Sequence, residues 1–386
     1  MSPALGRGLE ATACAGMCVF GIVMALLGSV LPIVSAELDF GLARAGDLLA
    51  LMNFAMLLTS LAVGPALDRF GFRLPLALGP LLAAAGLAQI ARAGAYRELL
   101  VAAPLLGAGG AVLNTATNAL IADLYPESKP KNAALNRLGV FFGFGALGLP
   151  LAIGRLIETA GLRPILLGAA ALVVMPSLAA LTLRFPGPKQ TRGLPFRRVL
   201  TQERLPLVAL FAALLFFQSG AEFVIGGYVP TFLTREIGAA VSAASYLFAG
   251  YWAALMVARV LLSRWLLRIP GESLVPLCAA GSLLATASLI ASRTLESAGV
   301  AVIALGFSIS GIFPTVLGVA GTWFRDASGT VFGLLFTVAL TGGMLAPWLA
   351  GRAAEAGGLR WGLSLLPAAF AAIVFISLEI RRRLRS

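Results

Sequence analysis

Two stretches of the sequence share one pattern: residues 154–163 read GRLIETAGLR and residues 351–360 read GRAAEAGGLR. Both fit G-R-x-x-E-x-x-G-L-R at a spacing of 197 residues, and each ends a long apolar segment. Leu106-Gly107 and Leu305-Gly306 repeat at a similar spacing of 199 residues. Because charged residues take part in the match, the pattern favours a duplicated unit of about half the chain. A coincidence between Gly- and Ala-rich helices is the alternative.

The composition of the chain is that of a membrane protein. Of 386 residues, 59% are hydrophobic and 12% are charged, whereas a soluble domain is about 25% charged and about 45–50% apolar. Continuous apolar runs without strict alternation favour helices over a barrel. With about 20 apolar residues for each helix, we predict an all-α membrane protein with twelve transmembrane helices. The predicted spans cover residues 11–36, 45–67, 74–92, 98–122, 133–157, 164–183, 205–230, 241–263, 273–292, 297–321, 327–350 and 359–380.

The distribution of charge predicts the orientation of these helices. If the N-terminus is inside, 19 of the 29 Lys and Arg residues fall on the cytoplasmic side and 9 outside, while the acidic residues divide evenly. This one-sided excess follows the positive-inside rule. We therefore expect a multi-pass protein of the inner (plasma) membrane with both termini in the cytoplasm. Contacts with anionic membrane lipids explain the basic clusters more simply than nucleic-acid binding does.

One long polar connection divides the chain. Residues 184–204 contain three prolines and a cluster of basic residues, and six predicted spans lie on each side. We therefore predict an N-terminal six-helix half at residues 1–183, a cytoplasmic basic linker at 184–204 and a C-terminal six-helix half at 205–386. Parallel repeats of this kind are a transporter architecture in which substrate binds between the halves.

The loop after the second span carries a family signature. Residues 64–73 read GPALDRFGFR, which resembles the G-x-x-x-D-R-x-G-R motif of the major facilitator superfamily. The resemblance covers the whole chain when the twelve spans, the six-plus-six repeat and the basic linker are included. It implies two six-helix pseudo-repeats that transport a small molecule by alternating access, and we expect a monomer.

Several residues of this signature predict a cytoplasmic gate. Gly64 permits close helix contact, Asp68 can accept hydrogen bonds from a helix N-terminus or an Arg, and Gly71 permits a tight turn. A solvated loop that obeys the positive-inside rule is the alternative. Arg259 falls 195 residues after Gly64, so we assign it to the gate or to packing rather than to substrate. The predicted gate residues are Gly64, Asp68, Arg69, Gly71, Arg73 and Arg259.

Glu222 is the one carboxylate that lies clearly inside a predicted span. A charge at the centre of a membrane helix costs about 2.5–3.5 kcal/mol on insertion scales, so we predict that Glu222 exchanges the coupling proton. Gln218 lies four residues earlier and shares its helix face. A Glu that is bonded to neighbouring helices and has no part in transport is the alternative. At about 1.5 Å per residue, Arg259 lies roughly 18 Å from Glu222 along the helix axes, so we expect no direct ion pair.

Other polar and aromatic side chains are candidates for binding the solute. Asn114 and Asn118 place two amides on one helix face, although hydrogen bonding between packed helices explains them equally well. Trp252 and Phe313 are candidates to line a pocket, and packing or lipid contact is the alternative for both. Pro314 predicts a kink in the tenth span. The predicted substrate-binding set is Asn114, Asn118, Gln218, Trp252 and Phe313.

Three stretches resemble the sugar-transporting branch that includes the bacterial fucose permeases. They are GSVLP at residues 28–32, LNTATN at residues 113–118 and GAEFVIGGY at residues 220–228. The branch carries an acid in span one where this chain has Gly28, and a Glu in span four where this chain has Asn114. Either Glu222 has taken over proton coupling, or the protein is a uniporter, or the substrate is not a sugar.

The leading hypothesis is a secondary active transporter that moves a small polar solute, with a sugar as the candidate and the proton as coupling ion. A proton-coupled exporter of amphipathic compounds and a non-transporting membrane receptor or scaffold are the alternatives. An enzyme is disfavoured because the chain has no His and one carboxylate inside the membrane, and we expect neither cofactor nor metal. The sequence contains no G-x-x-x-x-G-K-[ST] loop, so ATP-driven transport is disfavoured too.

The gate assignment predicts the effect of Asp68→Asn. The variant keeps the binding residues and loses the charge that holds the gate, so turnover should fall more than affinity. Loss of one charge-assisted hydrogen bond of about 1.5 kcal/mol corresponds to about tenfold in rate. Initial rates and half-saturating concentrations in proteoliposomes separate the two effects. An unchanged rate would indicate that this loop is a solvated loop that obeys the positive-inside rule.

Overall fold

The computed structural model describes residues 3–125, 128–187, 205–265, 270–324 and 328–385. Within these ranges the regular structure is helical, and no strand occurs. Twelve helical stretches of this part are long and apolar enough to cross a membrane. The predicted all-α class and the twelve predicted spans are therefore confirmed.

Ten spans are single helices and two are interrupted. The first nine spans are α1 (Pro3–Glu37), α2 (Leu42–Phe70), α3 (Arg73–Arg92), α4 (Tyr96–Leu124), α5 (Ser128–Ala160), α6 (Leu162–Thr182), α7 (Leu205–Arg235), α8 (Val241–Trp265) and α9 (Gly271–Ala291). The tenth span consists of α10 (Leu295–Ile309) and α11 (Ile312–Trp323), the eleventh is α12 (Ser328–Gly357), and the twelfth consists of α13 (Leu359–Leu363) and α14 (Leu365–Arg385).

The interruption of the tenth span follows from Pro314. Proline has no N–H, so it cannot donate a hydrogen bond to the carbonyl of Ser310 four residues earlier. The helix breaks at this carbonyl, between Ile309 and Ile312. The Ser310 hydroxyl turns back to donate to the carbonyl of Phe307 (2.8 Å). The kink expected near Pro314 is therefore present.

The last glycine of each repeated stretch makes a turn between two helices. Gly161 (φ 71°) joins α5 to α6, and Gly358 (φ 86°) joins α12 to α13. A Cβ atom is unfavourable at such backbone angles, so these positions favour glycine. Gly71 (φ 72°) ends α2 in the same way, which confirms the tight turn predicted there.

The helices form two compact units. They comprise Met1–Phe40, Leu51–Thr191 and Val241–Ala249 in the first unit, and Gly41–Ala50, Arg192–Ala240 and Gly250–Ser386 in the second. In the first unit α1 packs on α5, and α3 packs on α4 and α6. In the second unit α7 packs on α12, and α9 packs on α10 and α14. Because the same pairs recur six spans later, the chain contains two six-helix pseudo-repeats.

These units differ from the predicted halves at two helix ends. The start of α2, Gly41–Ala50, belongs to the second unit, and the start of α8, Val241–Ala249, belongs to the first. The predicted division at residues 1–183, 184–204 and 205–386 stays a prediction. Most of the basic linker lies outside the described residues.

Glycines let helix backbones touch inside each unit. A Cβ at Gly107 of α4 would overlap the carbonyl oxygen of Met52, and a Cβ at Gly306 of α10 would overlap that of Tyr251. Both members of the second contact lie 199 residues after those of the first, so the sequence repeat is also a repeat of contacts. Small residues are favoured where membrane helices pack closely. The contact at Gly306 fixes α8 against α10 at the height of Tyr251.

The repeated G-R-x-x-E pattern also repeats its contacts. In the second unit Glu355 accepts hydrogen bonds from the backbone N–H groups of Leu42 (2.7 Å) and Ala43 (3.3 Å), in the first turn of α2. In the first unit Glu158 accepts a hydrogen bond from the hydroxyl of Ser242 (2.7 Å), in the first turn of α8. A carboxylate is favourable beside the N-terminus of a helix. The pattern therefore attaches α12 to α2 and α5 to α8.

The two attachments differ in one ion pair. In the second unit a nitrogen of Arg352 lies 2.9 Å from a carboxylate oxygen of Asp47, and its guanidinium lies 3.9 Å from the ring centre of Trp348. In the first unit Leu247 stands 200 residues after Asp47 and offers no carboxylate to Arg155. The repeat is thus symmetric in its glycines and glutamates and asymmetric in its arginines.

The glycine contacts predict a difference between two substitutions in α5. A Cβ at Gly145 would overlap the carbonyl oxygen of Cys18 in α1, whereas a Cβ at Gly148 would meet no described atom within 4 Å. Gly145→Ala should therefore destabilise the protein by about 1–3 kcal/mol through overpacking. Gly148→Ala serves as the matched control and should be neutral or slightly stabilising, because Ala is the better helix former. Thermal unfolding in detergent measures both, and equal melting temperatures would contradict the contact.

Candidate functional site

The candidate site is built on the middle of α7. Glu222 lies near the centre of this helix and is half-buried. Gln218, one turn earlier, is fully buried and donates a hydrogen bond from Nε2 to Glu222 Oε1 (3.2 Å). The four-residue spacing therefore brings these two side chains together, as predicted. A neutral amide is the direct hydrogen-bond partner of the carboxyl group.

Arg259 of α8 lies close enough to Glu222 for the two charges to interact. The axial gap of roughly 18 Å predicted from the sequence is too large, because α7 continues to Arg235 instead of ending near residue 230. Within the described residues no direct ion pair joins Arg259 to Glu222, as expected. With the helix centres corrected, the gap falls to about 12 Å at about 1.5 Å per residue. A helical side chain also points back toward the N-terminus of its helix, which directs Arg259 toward Glu222.

The Arg259 side chain is only partly satisfied. Its Nε atom is buried and has no hydrogen-bond partner among the described residues. The side chain as a whole keeps partial exposure. The structure thus brings a residue predicted for the gate to the neighbourhood of the predicted proton-coupling residue.

One aromatic side chain of α8, Tyr251, adjoins these charges, and a second, Trp252, packs against it. Tyr251 is 2% exposed and lies close enough to Glu222 and Arg259 for electrostatic interaction with both. Trp252 is 8% exposed, and its ring centre lies 5.3 Å from that of Tyr251 in an edge-on arrangement. The predicted substrate-binding set omits Tyr251. The sequence could have identified Tyr251 as a candidate, because it is a polar aromatic residue in mid-span next to Trp252.

Phe313 and the two asparagines make contacts of their own. The ring centre of Phe313 in α11 lies 6.0 Å from that of Phe336 in α12. In the first unit, Asn118 donates from Nδ2 to the carbonyl oxygen (2.8 Å) and the side-chain Oδ1 (3.1 Å) of Asn114. These amides share one helix face, as predicted, and both are half-buried. Their assignment to the solute, like that of Phe313, stays a prediction.

The gate residues lie at the end of α2 and the start of α3. Arg73 donates a hydrogen bond to the carbonyl of Leu181, which ties the start of α3 to the end of α6. The guanidinium of Arg69 lies 5.2 Å from the ring centre of Phe70. A Cβ at Gly64 would meet no described atom within 4 Å, so the close helix contact expected there is absent from the described structure. The gate role of these residues, Asp68 included, stays a prediction.

A family model described as the Major Facilitator Superfamily matches residues 13–305 of the chain. The chain belongs to this superfamily. Superfamily members are membrane transporters of small molecules, which agrees with the twelve apolar helices and the two pseudo-repeats. The family resemblance of the loop at residues 64–73 is therefore confirmed.

Curated relatives resemble this superfamily member over different lengths. The uncharacterised MFS-type transporter YfkL of Bacillus subtilis is 24% identical over 381 residues, which cover 92% of each chain. The vesicular acetylcholine transporter of Rattus norvegicus is 32% identical over 173 residues, which cover 43% of this chain and 33% of that protein. The chain therefore spans about a third of the length of the vesicular transporter it matches.

A solved transporter structure has the same fold. The crystal structure of a D-xylose-proton symporter superimposes with a TM-score of 0.79 over 97% of both chains, at 15% sequence identity. At this identity the likeness shows the fold alone. Within the described residues of this superfamily member, no group of three or more His, Cys, Asp or Glu side chains is arranged to hold a metal ion.

The proximity of Glu222 and Arg259 predicts that their substitutions are not additive. Each of Glu222→Gln and Arg259→Gln leaves the other charge uncompensated, which is costly away from water. The double variant should therefore be more stable than the sum of the single effects by about 0.5–3 kcal/mol. Thermal unfolding of the purified protein at neutral pH measures the cycle.

The ion pair of Asp47 and Arg352 supplies the matched control. Its side chains are 37% and 42% exposed, and exposed pairs couple by about 0–1 kcal/mol. The cycle of Asp47→Asn and Arg352→Gln should therefore give a smaller coupling. Strict additivity in the Glu222–Arg259 cycle would show that the two charges do not act on each other.

Proposed function

We propose that this transporter is a proton-coupled secondary carrier of a small polar solute, with Glu222 as the group that takes up and releases the proton. The observation that carries the proposal is a carboxyl group in the middle of α7 whose direct partner is the neutral amide of Gln218. A carboxylate removed from water exchanges a proton far more readily near neutral pH than an exposed one. A sugar is the candidate solute, in line with the resemblance to the sugar-transporting branch.

Through Arg259, protonation of Glu222 can change the arrangement of α7 and α8. When Glu222 is ionised, its charge attracts Arg259 and favours the arrangement of α7 and α8 that brings the two together. When Glu222 is protonated, this attraction is lost and the preference weakens. A ligand shifts a conformational equilibrium only by its differential affinity for the two states, and here the proton supplies that difference.

The remaining assignments belong to the same proposal. Solute contacts come from Asn114, Asn118, Gln218, Trp252 and Phe313, and the signature loop with Arg259 forms the cytoplasmic gate. The carrier works as a monomer in the inner membrane, with both termini in the cytoplasm and lipids as its surroundings. It takes the solute and the proton as partners and needs no cofactor.

An exporter of amphipathic cations is the second candidate. It is favoured by the similarity of 173 residues to vesicular acetylcholine transporters. A carboxylate near Tyr251, whose ring packs against Trp252, suits a cation, because aromatic faces attract positive charge. In this reading Glu222 would bind protons and cations alternately, and a sugar would not be carried.

Uptake into proteoliposomes with an imposed inward proton gradient tests the proposal. The panel holds hexoses, deoxyhexoses, pentoses and amphipathic cations, and Glu222→Gln is run in parallel. The wild type should accumulate a sugar, and Glu222→Gln should lose gradient-driven accumulation while it keeps exchange. Glu296→Gln is the matched control, since Glu296 is an exposed carboxylate in the first turn of α10, and its accumulation should be unchanged.

Each other outcome selects a different function. Accumulation that persists in Glu222→Gln would remove Glu222 from coupling. Downhill sugar flux that is indifferent to pH and to the substitution would identify a uniporter. Proton-driven movement of cations without sugar flux would favour the exporter. Absence of flux for every member of this panel would exclude neutral sugars and amphipathic cations as solutes.

A further inference from the structure

Two buried polar atoms around Glu222 lack partners. Nε of Arg259 is a hydrogen-bond donor, and Oε1 of Gln218 is an acceptor; both are shielded from water and have no hydrogen-bond partner among the described residues. Buried polar groups are nearly always hydrogen-bonded in native proteins. An unsatisfied donor and an unsatisfied acceptor beside one carboxyl group are therefore a reason to look for a missing ligand.

Among the residues that the structure describes, no carboxylate lies within hydrogen-bond distance of Arg259. Glu222 accepts from Gln218 through Oε1, and within the described residues it does not bond to the guanidinium. A guanidinium inside a membrane helix almost always finds a pairing partner, because a lone charge there is costly. Since the side chain is also partly exposed, a small molecule can reach it.

We propose that Arg259 binds a carboxylate group of the transported solute, while Glu222 and Gln218 bind a donor group of the same molecule. The planar guanidinium presents parallel N–H groups that match a carboxylate. The solute would then be a sugar acid or a zwitterion rather than a neutral sugar. This inference rests on the proposed function, because it assigns the substrate class of the same cluster. It gives Arg259 a contact with the solute in addition to its place in the proposed gate.

The charge of the cluster limits the ligand to a monoanionic group. One cation, Arg259, lies beside one carboxyl group, Glu222, and like charges close together are unfavourable. A doubly charged phosphate would be neutralised only in part by the single guanidinium, and Glu222 would repel it. A carboxylate with a hydroxyl or ammonium group nearby satisfies Arg259 and Gln218 together, and it places its donor toward the acidic side of the site.

Thermal unfolding of the full-length transporter in detergent tests this assignment without any proton gradient. The probes are two matched pairs that differ in a carboxylate: galacturonate against galactose, and glycine against ethanolamine. At least one carboxylate-bearing member should raise the melting temperature with saturation, and its partner should do so less. Arg259→Gln should weaken the apparent affinity for that member by about tenfold or more.

Two further variants separate binding from folding. Arg259→Lys keeps the charge but loses the planar fork, so its affinity should lie between those of the wild type and Arg259→Gln, and it stands in if the latter fails to fold. Arg97→Gln is the matched control, because Arg97 is exposed in the first turn of α4, and it should bind as the wild type does.

Three results would overturn the inference. They are equal stabilisation by both members of each pair, an unchanged affinity for the carboxylate in Arg259→Gln, and no stabilisation by either carboxylate. The proposed function can fail separately, since it is judged from gradient-driven flux in Glu222→Gln. Proton-driven accumulation of neutral galactose with no carboxylate binding would preserve the proposed function and reject this substrate class.

Discussion

Lipid offers no hydrogen-bond partner to a peptide backbone, and the helices of this membrane protein follow from that constraint. Because lipid tails are as apolar as the helices, packing between helices depends on close backbone contact, which small residues permit. The contact of Gly107 with Met52 is repeated by that of Gly306 with Tyr251, and both residues of the second contact lie 199 positions later. Through Gly306, the packing of α10 on α8 places Tyr251 beside the charged cluster.

The polar cluster depends on the same constraint in another way. A charge inside the membrane must find a partner or a function. Gln218 satisfies one oxygen of Glu222, and Arg259 supplies a charge nearby without a hydrogen bond to it in the described part of the chain. The cluster thus contains a carboxyl group and a guanidinium that do not bond to each other, and the proposed proton coupling depends on this feature.

The repeated stretch at residues 154–163 and 351–360 has a physical explanation at three of its positions. The first glycine lies against the first turn of α8 or α2, and the glutamate accepts hydrogen bonds from residues of that turn. The last glycine of each stretch adopts a positive φ between two helices. The pattern that indicates duplication therefore also makes the same contacts and the same turn in each unit.

Local features of the sequence were sufficient for much of this molecule. Apolar length determined the twelve helices, Pro314 the break in the tenth span, and the four-residue spacing the contact of Gln218 with Glu222, because each depends on neighbours along one helix. Tertiary structure decided the rest. Whether Gly64 has a neighbour and how near Arg259 lies to Glu222 depend on the length and packing of separate helices, which the sequence of one helix does not contain.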